Sequence, residues 1–457
     1  MSRSLAEIPA IAGTPEPVVK PQDPRLERAR PRVGGFLFLV FQLALVVGVL
    51  HGYRVGQYGG AEMTFTYLCD AAFGLFAVHY WLPYRMKETF WVAASLVAAF
   101  IWLDWRVATC LVVAGCLFFA IIRSPLPYWT RVGMIVTGFA IASLCSLYPN
   151  EGNDIIRMVS PVGVPKSTWM MFGSIFLLRM IVYLHDVRYL KTPPSFRAYL
   201  AYFFILPNYI FPLMPVVDYT TMRASYYRRN IQDIAQQGIH WIGRGLVQLV
   251  CYQVIYYLRE AQTARGIDSF GAVVSYMVLT FLLYLRVSGQ FHLAIGMLHL
   301  FGYDLPETNR KYLLSASLTD WWRRVNIYWK DFMVKIVYFP VFFRFRKGGQ
   351  LRAKLLATVA VFLVTWALHS YQYLWIRGEV LFNRVDITFW GIFGLLITVN
   401  VWWEHKQEAS GVRPVPSRLG TFVSTVGTMS LIIFLWSLWE APTFSDWFEL
   451  VAWWRKG

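Results

Sequence analysis

The sequence predicts an all-α, polytopic membrane protein, and three observations carry that expectation. Of its residues 57% are hydrophobic, 18% aromatic and only 15% charged, whereas soluble domains carry about 25% charge. Uncharged runs long enough for a helix to cross the roughly 30 Å hydrocarbon core of a bilayer recur along the chain. The cations gather between these runs and at their ends, as they do in cytoplasmic loops.

In chain order, residues 1–34 are polar and proline-bearing and read as a disordered tail that cannot bury a core. No secretory signal is read in it, and it ends in Arg25, Arg28, Arg30 and Arg32, which places the N-terminus in the cytoplasm by the positive-inside rule. Spans follow near 35–52, 62–83, 89–103, 107–122, 133–148, 168–185, 198–217, 241–257, 270–285, 287–301, 355–376, 387–403 and 420–439. The shorter ones read as re-entrant or interfacial, giving about ten to thirteen transmembrane or re-entrant helices. Residues 35–150 thus form an N-terminal set of transmembrane helices, 168–441 a second unit, and 442–457 a C-terminal interfacial segment. Cys69, Cys110, Cys116, Cys145 and Cys251 lie in or beside apolar runs without metal-ligand spacing, so neither a disulfide framework nor a metal is expected.

The formal charge of +17 is concentrated in 310–354, with a smaller cluster at Arg223, Arg228 and Arg229. Two readings stand: ordinary loops facing anionic lipid, or a docking surface for a polyanionic ligand. Nucleic acid is not expected, because no recognition fold is visible. Within 315–346, Trp321, Trp322, Val325, Tyr328, Trp329, Phe332 and Ile336 recur at three- and four-residue spacing. That pattern predicts one amphipathic helix lying in or dipping into the cytoplasmic interface. Asn326 falls between Arg324 and Lys330 on it; by residue type alone, a backbone cap is the simpler role.

The run 355–376, LLATVAVFLVTWALHSYQYLWI, contains no formal charge and one imidazole, His369. A lone histidine on an apolar face is commonly a satisfied core residue, and His79, His292 and His299 lie in similar runs. The polar neighbours Ser370, Tyr371 and Gln372 favour a cavity, since ionisable groups at membrane depth face polar space.

These residues together resemble a family. The lines FGSIFLLRMIVYLHDVRY (172–189) and YFFILPNYIFPLMPVVDYTTM (202–222), then SASLTDWWRRVNIYWKDFM (315–333) and a histidine 43 residues after Asn326, are similar in order and spacing to the membrane-bound O-acyltransferases. The similarity covers roughly 170–405 and is closest in style to the bacterial alginate and teichoic-acid members. Those commonly carry histidine where this chain has Asn326, and Trp and Gly where it has Leu368 and Ser370; asparagine is frequent in sterol- and Wnt-acylating members.

The resemblance implies a catalytic core over 168–441 in a bacterial inner membrane, with His369 and Asn326 catalytic. It also implies cytoplasmic acyl-CoA, with acetyl-CoA foremost, as donor. The acceptor would be a hydroxyl of an exported glycan or glycolipid, with a periplasmic or membrane acylation partner. The chemistry suits the residue types. Neutral imidazole can accept a hydroxyl proton near neutrality, and an asparagine amide can donate to a developing oxyanion. Direct transfer is expected, although Ser370 keeps an acyl-enzyme open. Arg323, Arg324, Lys330 and Lys335 are the charge-based candidates for donor binding. The rival reading is a polytopic transporter of small molecules or protons with a buried histidine, although no internal repeat is evident.

Overall fold

The computed structural model describes residues 23–55, 64–103, 105–147, 176–209, 215–377, 383–411 and 417–455. Among them every regular element is helical; a single isolated bridge pairs Tyr226 with Tyr303. The protein is an all-α polytopic membrane protein. Among the described residues five helices are long and apolar enough to cross a bilayer: Val33–Gly52, Phe270–Leu300, Gln350–Tyr373, Arg384–Ala409 and Arg418–Trp439. Their outer flanks expose Leu37, Phe41, Leu363, Leu395 and Phe422 by more than half, a surface that lipid covers. Four further N-terminal helices, Thr64–Trp81, Tyr84–Trp102, Trp105–Arg123 and Tyr128–Leu147, have 18 to 20 residues each. Helix starts follow capping chemistry: Asn230, Ser269, Asn383, Ser417 and Thr443 each accept a first-turn backbone N–H.

Several expected spans change. The two runs at 270–285 and 287–301 form Phe270–Leu282 and Leu285–Leu300, of 13 and 16 residues. At 1.5 Å per residue each reaches only about 20–24 Å, short of the core, and together they make one 31-residue span. The run 198–217 is no spanning helix. Its helix Phe196–Phe203 stops after eight residues, a 3₁₀ turn occupies Leu206–Tyr209, residues 210–214 lie outside the described set, and 215–218 are irregular, with Val217 N donating to the Pro215 carbonyl. Pro207 cannot continue the helix, and irregular backbone at this depth is tolerated because Leu200–Leu206 lie buried in protein. Of the expected span 168–185, residues 168–175 fall outside the described residues, and the rest belongs to Leu177–Tyr189. The tail is ordered from residue 23. Asp23 caps Pro24–Arg28, and Arg28 donates to the Arg228 carbonyl at 2.9 Å; residues 1–22 lie outside the described set.

The helix Ile231–Arg265, 35 residues long, packs along Leu285–Leu300 through reciprocal glycines. A Cβ on Gly245 would stand 2.6 Å from the Gly289 carbonyl oxygen, and one on Gly296 would stand 2.6 Å from that of Gly238. Small residues let two backbones meet where burial from water supplies no drive. This pair anchors the N-terminal core. Separate apolar clusters unite Trp321, Phe362, Phe393 and Leu435, and Leu178, Trp329, Met333 and Val361.

The segment 315–346 is not one amphipathic helix. It divides into Leu318–Arg324, Ile327–Met333, a π-helical turn at Val334–Tyr338, and Phe339–Phe345. Trp321 and Trp329 are buried against the spanning helices and do not lie among headgroups. The break comes at Val325, which is extended, and Asn326, whose φ of 39° is left-handed. A short polar side chain tolerates that conformation. A strap from the preceding loop holds it: Asn309 Oδ1 accepts from Asn326 N at 2.8 Å, the Thr308 carbonyl from Ile327 N at 2.8 Å, and the Arg324 carbonyl from Arg310 N at 2.9 Å.

Candidate active site

His369 lies on the Gln350–Arg377 helix, which packs against Arg384–Ala409 and the π-helical turn. Its Nδ1 is 2.9 Å from the Thr365 carbonyl oxygen one turn earlier. A carbonyl only accepts, so Nδ1 carries the hydrogen and Nε2 of the neutral ring keeps its lone pair. The ring stands between two indoles, with centroids 4.9 Å from Trp329 and 5.2 Å from Trp390. His369 is half-buried, whereas His79, His292 and His299 are at most 1% exposed. His292 is bonded to Gln248 and to the Ser288 carbonyl, His299 to the Ile295 carbonyl, and His79 packs on Phe90 and Phe301. Accessibility therefore separates His369 from histidines of similar sequence context.

Asn326 is a cap and a cavity residue at once. Its Oδ1 accepts from Trp329 N at 3.3 Å, which leaves its Nδ2 to donate elsewhere. Asn326, Trp329 and His369 line one cavity of about 290 Å³, together with Gln372, Glu440, Trp436 and Trp439. The indole Nε1–H of Trp329 is buried and has no hydrogen-bond partner among the described residues. Ser370, one residue from the histidine, is buried and forms no part of that lining, so the geometry lends nothing to an acyl-serine relay.

Behind the cavity is a residue that the sequence reading passed over. Asp386, 4% exposed, accepts the indole N–H of Trp366 at 2.6 Å on one oxygen and that of Trp439 at 3.0 Å on the other. It thereby fixes a cavity wall. Its signal was local: Asn383 and Asp386 stand three residues apart at a helix start, the spacing of a reciprocal cap.

The proposed donor cations divide into two sets. Arg323 and Lys330 line a second cavity, of about 260 Å³, with Lys354, His405, Glu404 and Glu408. Within it Arg323 pairs with Glu404 at 3.1 Å and Lys354 with Glu408 at 3.3 Å, while Lys330 meets Asp331 at 2.7 Å. This basic groove also touches Phe362, seven residues before His369, about 10 Å along one helix. Arg324 lies outside the groove, paired with Asp320 at 2.7 Å.

Lys335 is also elsewhere. It bonds Asp186 at 2.5 Å and Asp218 at 3.2 Å, tying the π-helical turn to the helix Leu177–Tyr189, and so it is a structural cation. Burial would raise the Asp218 carboxyl, but hydrogen bonds from Thr220 and Thr221 and the charge of Lys335 bring it down to about 2. The smaller arginine cluster is likewise engaged, Arg223 with Glu88, and Arg228 and Arg229 with Asp304. Among the described residues no group of His, Cys, Asp and Glu has the geometry to hold a metal ion.

No protein-family model matches the chain, and no curated protein matches it either. The acyltransferase resemblance therefore rests on this chain's own residues and their geometry.

Proposed function

We propose that the protein is a membrane-embedded O-acyltransferase with His369 as general base. One observation carries the reading: His369 and Asn326, 43 residues apart in sequence, line the same cavity, and the histidine turns a free Nε2 lone pair to its own chemistry because Nδ1 is engaged by Thr365. In the proposed step a hydroxyl oxygen attacks the thioester carbonyl carbon of acyl-CoA while Nε2 takes the hydroxyl proton. The tetrahedral intermediate collapses, the carbon–sulfur bond breaks, and the leaving thiolate recovers the proton from the imidazolium. The products are an ester and free CoA.

Asn326 Nδ2–H and Trp329 Nε1–H are the donors available to the oxyanion, an interaction worth about 3 kcal/mol when preorganised. The groove is the entry we assign to a phosphorylated donor, whose phosphates would displace Glu404, Asp331 and Glu408 from Arg323, Lys330 and Lys354. A glycan or lipid hydroxyl would bind in the histidine cavity. The orientation that fits is a cytoplasmic N-terminus in a bacterial inner membrane.

The test is purified protein in nanodiscs with radiolabelled acetyl-CoA, followed for CoA release and label transfer, with His369→Gln beside it. Thiol release in the wild type and its loss in the variant support the reading. Proton or solute flux in proteoliposomes, with no thioester cleavage, would favour the transporter instead.

A further inference from the structure

A third cavity, of about 480 Å³, lies away from both sites, against the ends of three helices: Arg123 closes one, Tyr128 opens the next, and Arg188 and Tyr189 close Leu177–Tyr189. Among the described residues its lining includes Arg123, Arg131 and Arg188 and no carboxylate. Among them, too, none of the three arginines forms an ion pair, although arginines elsewhere in this protein pair with aspartate or glutamate.

Arg188 is held by aromatic faces, its guanidinium carbon 5.0 Å from the Tyr128 centroid, 5.7 Å from that of Tyr189 and 5.9 Å from that of Trp129. Stacking covers the face of a guanidinium and leaves its in-plane N–H edge free, the edge that matches a phosphate bidentately. Two buried donors add to this. Among the described residues Arg131 gives Nη1–H to the Ile122 carbonyl while its buried Nε–H finds no partner, and the hydroxyl of Tyr183, a residue of 0% exposure in the cavity lining, finds none either. Orphaned buried donors are costly unless something accepts from them.

We propose that this cavity binds the phosphate of an anionic phospholipid headgroup. Lipid is the source that the surroundings favour. Trp129 and Tyr189 are 71% and 70% exposed at the helix ends, as aromatic residues are at a membrane–water boundary. Val136, seven residues after Trp129 and so on the same helix face, is an exposed apolar side chain along which an acyl chain can lie. Basic pockets between membrane helices recognise headgroups in this manner. The proposal is independent of acyl transfer and needs no assay of it.

The test is delipidated protein in detergent titrated with phosphatidylglycerol, phosphatidylcholine, inorganic phosphate or glycerol 3-phosphate, read by thermal shift and by native mass spectrometry of retained lipid. Phosphatidylglycerol should protect saturably and be retained, whereas phosphatidylcholine should not. In Arg131→Gln/Arg188→Gln the apparent affinity should fall about ten-fold or more, the loss expected for a single charge-assisted hydrogen bond. Arg265→Gln, at the far end of Ile231–Arg265, should titrate as the wild type does. Should the double variant not fold, Arg123→Gln and Tyr183→Phe, tested singly, must each weaken retention. Equal protection by glycerol 3-phosphate would overturn the lipid assignment in favour of a soluble phosphate ester. Equal retention by wild type and variants, or no preference for the anionic lipid, would overturn the site.

Discussion

The imidazole of His369 meets the indole of Trp329 edge to face, at 4.9 Å between centroids and 78° between planes. The ring is thus held sideways by packing while its hydrogen bond to Thr365 fixes the tautomer, and the two constraints leave only Nε2 for chemistry. His369→Gln should therefore lose turnover and keep its melting temperature. The expected loss is 10²- to 10⁴-fold, about 3 to 5.5 kcal/mol of transition-state stabilisation. His299→Ala is the contrast: that ring is fully buried, and its Nδ1–H donates to the Ile295 carbonyl at 2.8 Å. Its removal should lower stability first. Full thioester cleavage by the His369 variant would mean that the wrong histidine has been assigned.

Asn326 allows its two roles to be separated. Asn326→Gly keeps the left-handed backbone and removes the amide, at a capping cost of a few tenths of a kcal/mol. Asn326→Ala removes the amide and also strains the turn, by roughly 1–2 kcal/mol, in addition to losing the cap. Equal losses of kcat in the two variants, with stability lost mainly in the alanine variant, are expected if the amide serves the oxyanion. Near-normal kcat in the glycine variant would reduce Asn326 to a turn residue.

Donor binding should follow the groove and not overall charge. Arg323→Gln/Lys330→Gln should raise the apparent KM for acyl-CoA, and the wild-type KM should rise with salt as screening weakens exposed ion contacts. Arg324→Gln should leave KM nearly unchanged, because that guanidinium lies outside the groove.

Lys335→Met should behave as a stability variant. It leaves Asp186, 3% exposed, without its cation, and breaking a buried pair costs about 3–5 kcal/mol. The pH dependence has a definite sign. The Asp218 carboxyl lies at about 2 in the folded protein against an ordinary 3.8. Its contribution, about 2 kcal/mol by linkage, is present above pH 4 and lost as pH falls towards 2. Thermal melts between pH 6 and 2 should show that loss in the wild type and most of it still in Lys335→Met, because the hydrogen bonds from Thr220 and Thr221 hold the Asp218 carboxyl down more than the lysine charge does.

Gly245→Leu tests the spine of the N-terminal core. Its first side-chain atom alone would come within 2.6 Å of a backbone oxygen on the neighbouring helix, and overpacking costs about 1–3 kcal/mol or more. A lower melting temperature with unaltered KM is expected.

Composition and apolar run length were enough to read an all-α membrane protein, because lipid imposes both directly. They could not resolve where Pro207 ends a helix early, since a buried irregular segment is as apolar as a span. Nor could they show that 315–346 breaks at Asn326. Periodicity reports which faces are apolar, but that turn is held by Thr308, Asn309 and Arg310, contacts that local spacing does not encode. His369 and Asn326 were legible as residue types in a motif, and their meeting required the fold. Lys335 and Arg324 lie outside the groove of Arg323 and Lys330, a separation that charge alone does not reveal.

Lys354 in the basic groove and His369 in the cavity it shares with Asn326 belong to one uninterrupted helix, fifteen residues apart, which sets a fixed rise of about 22 Å between them. A rigid rod of this kind is a gauge. On the acyl-transfer reading, a donor whose charged end rests by Lys354 can present its thioester to His369 only if its own linker matches that length. The helix would then measure the donor before any chemistry begins, and an inserted turn within it would alter which donors are accepted without touching either end.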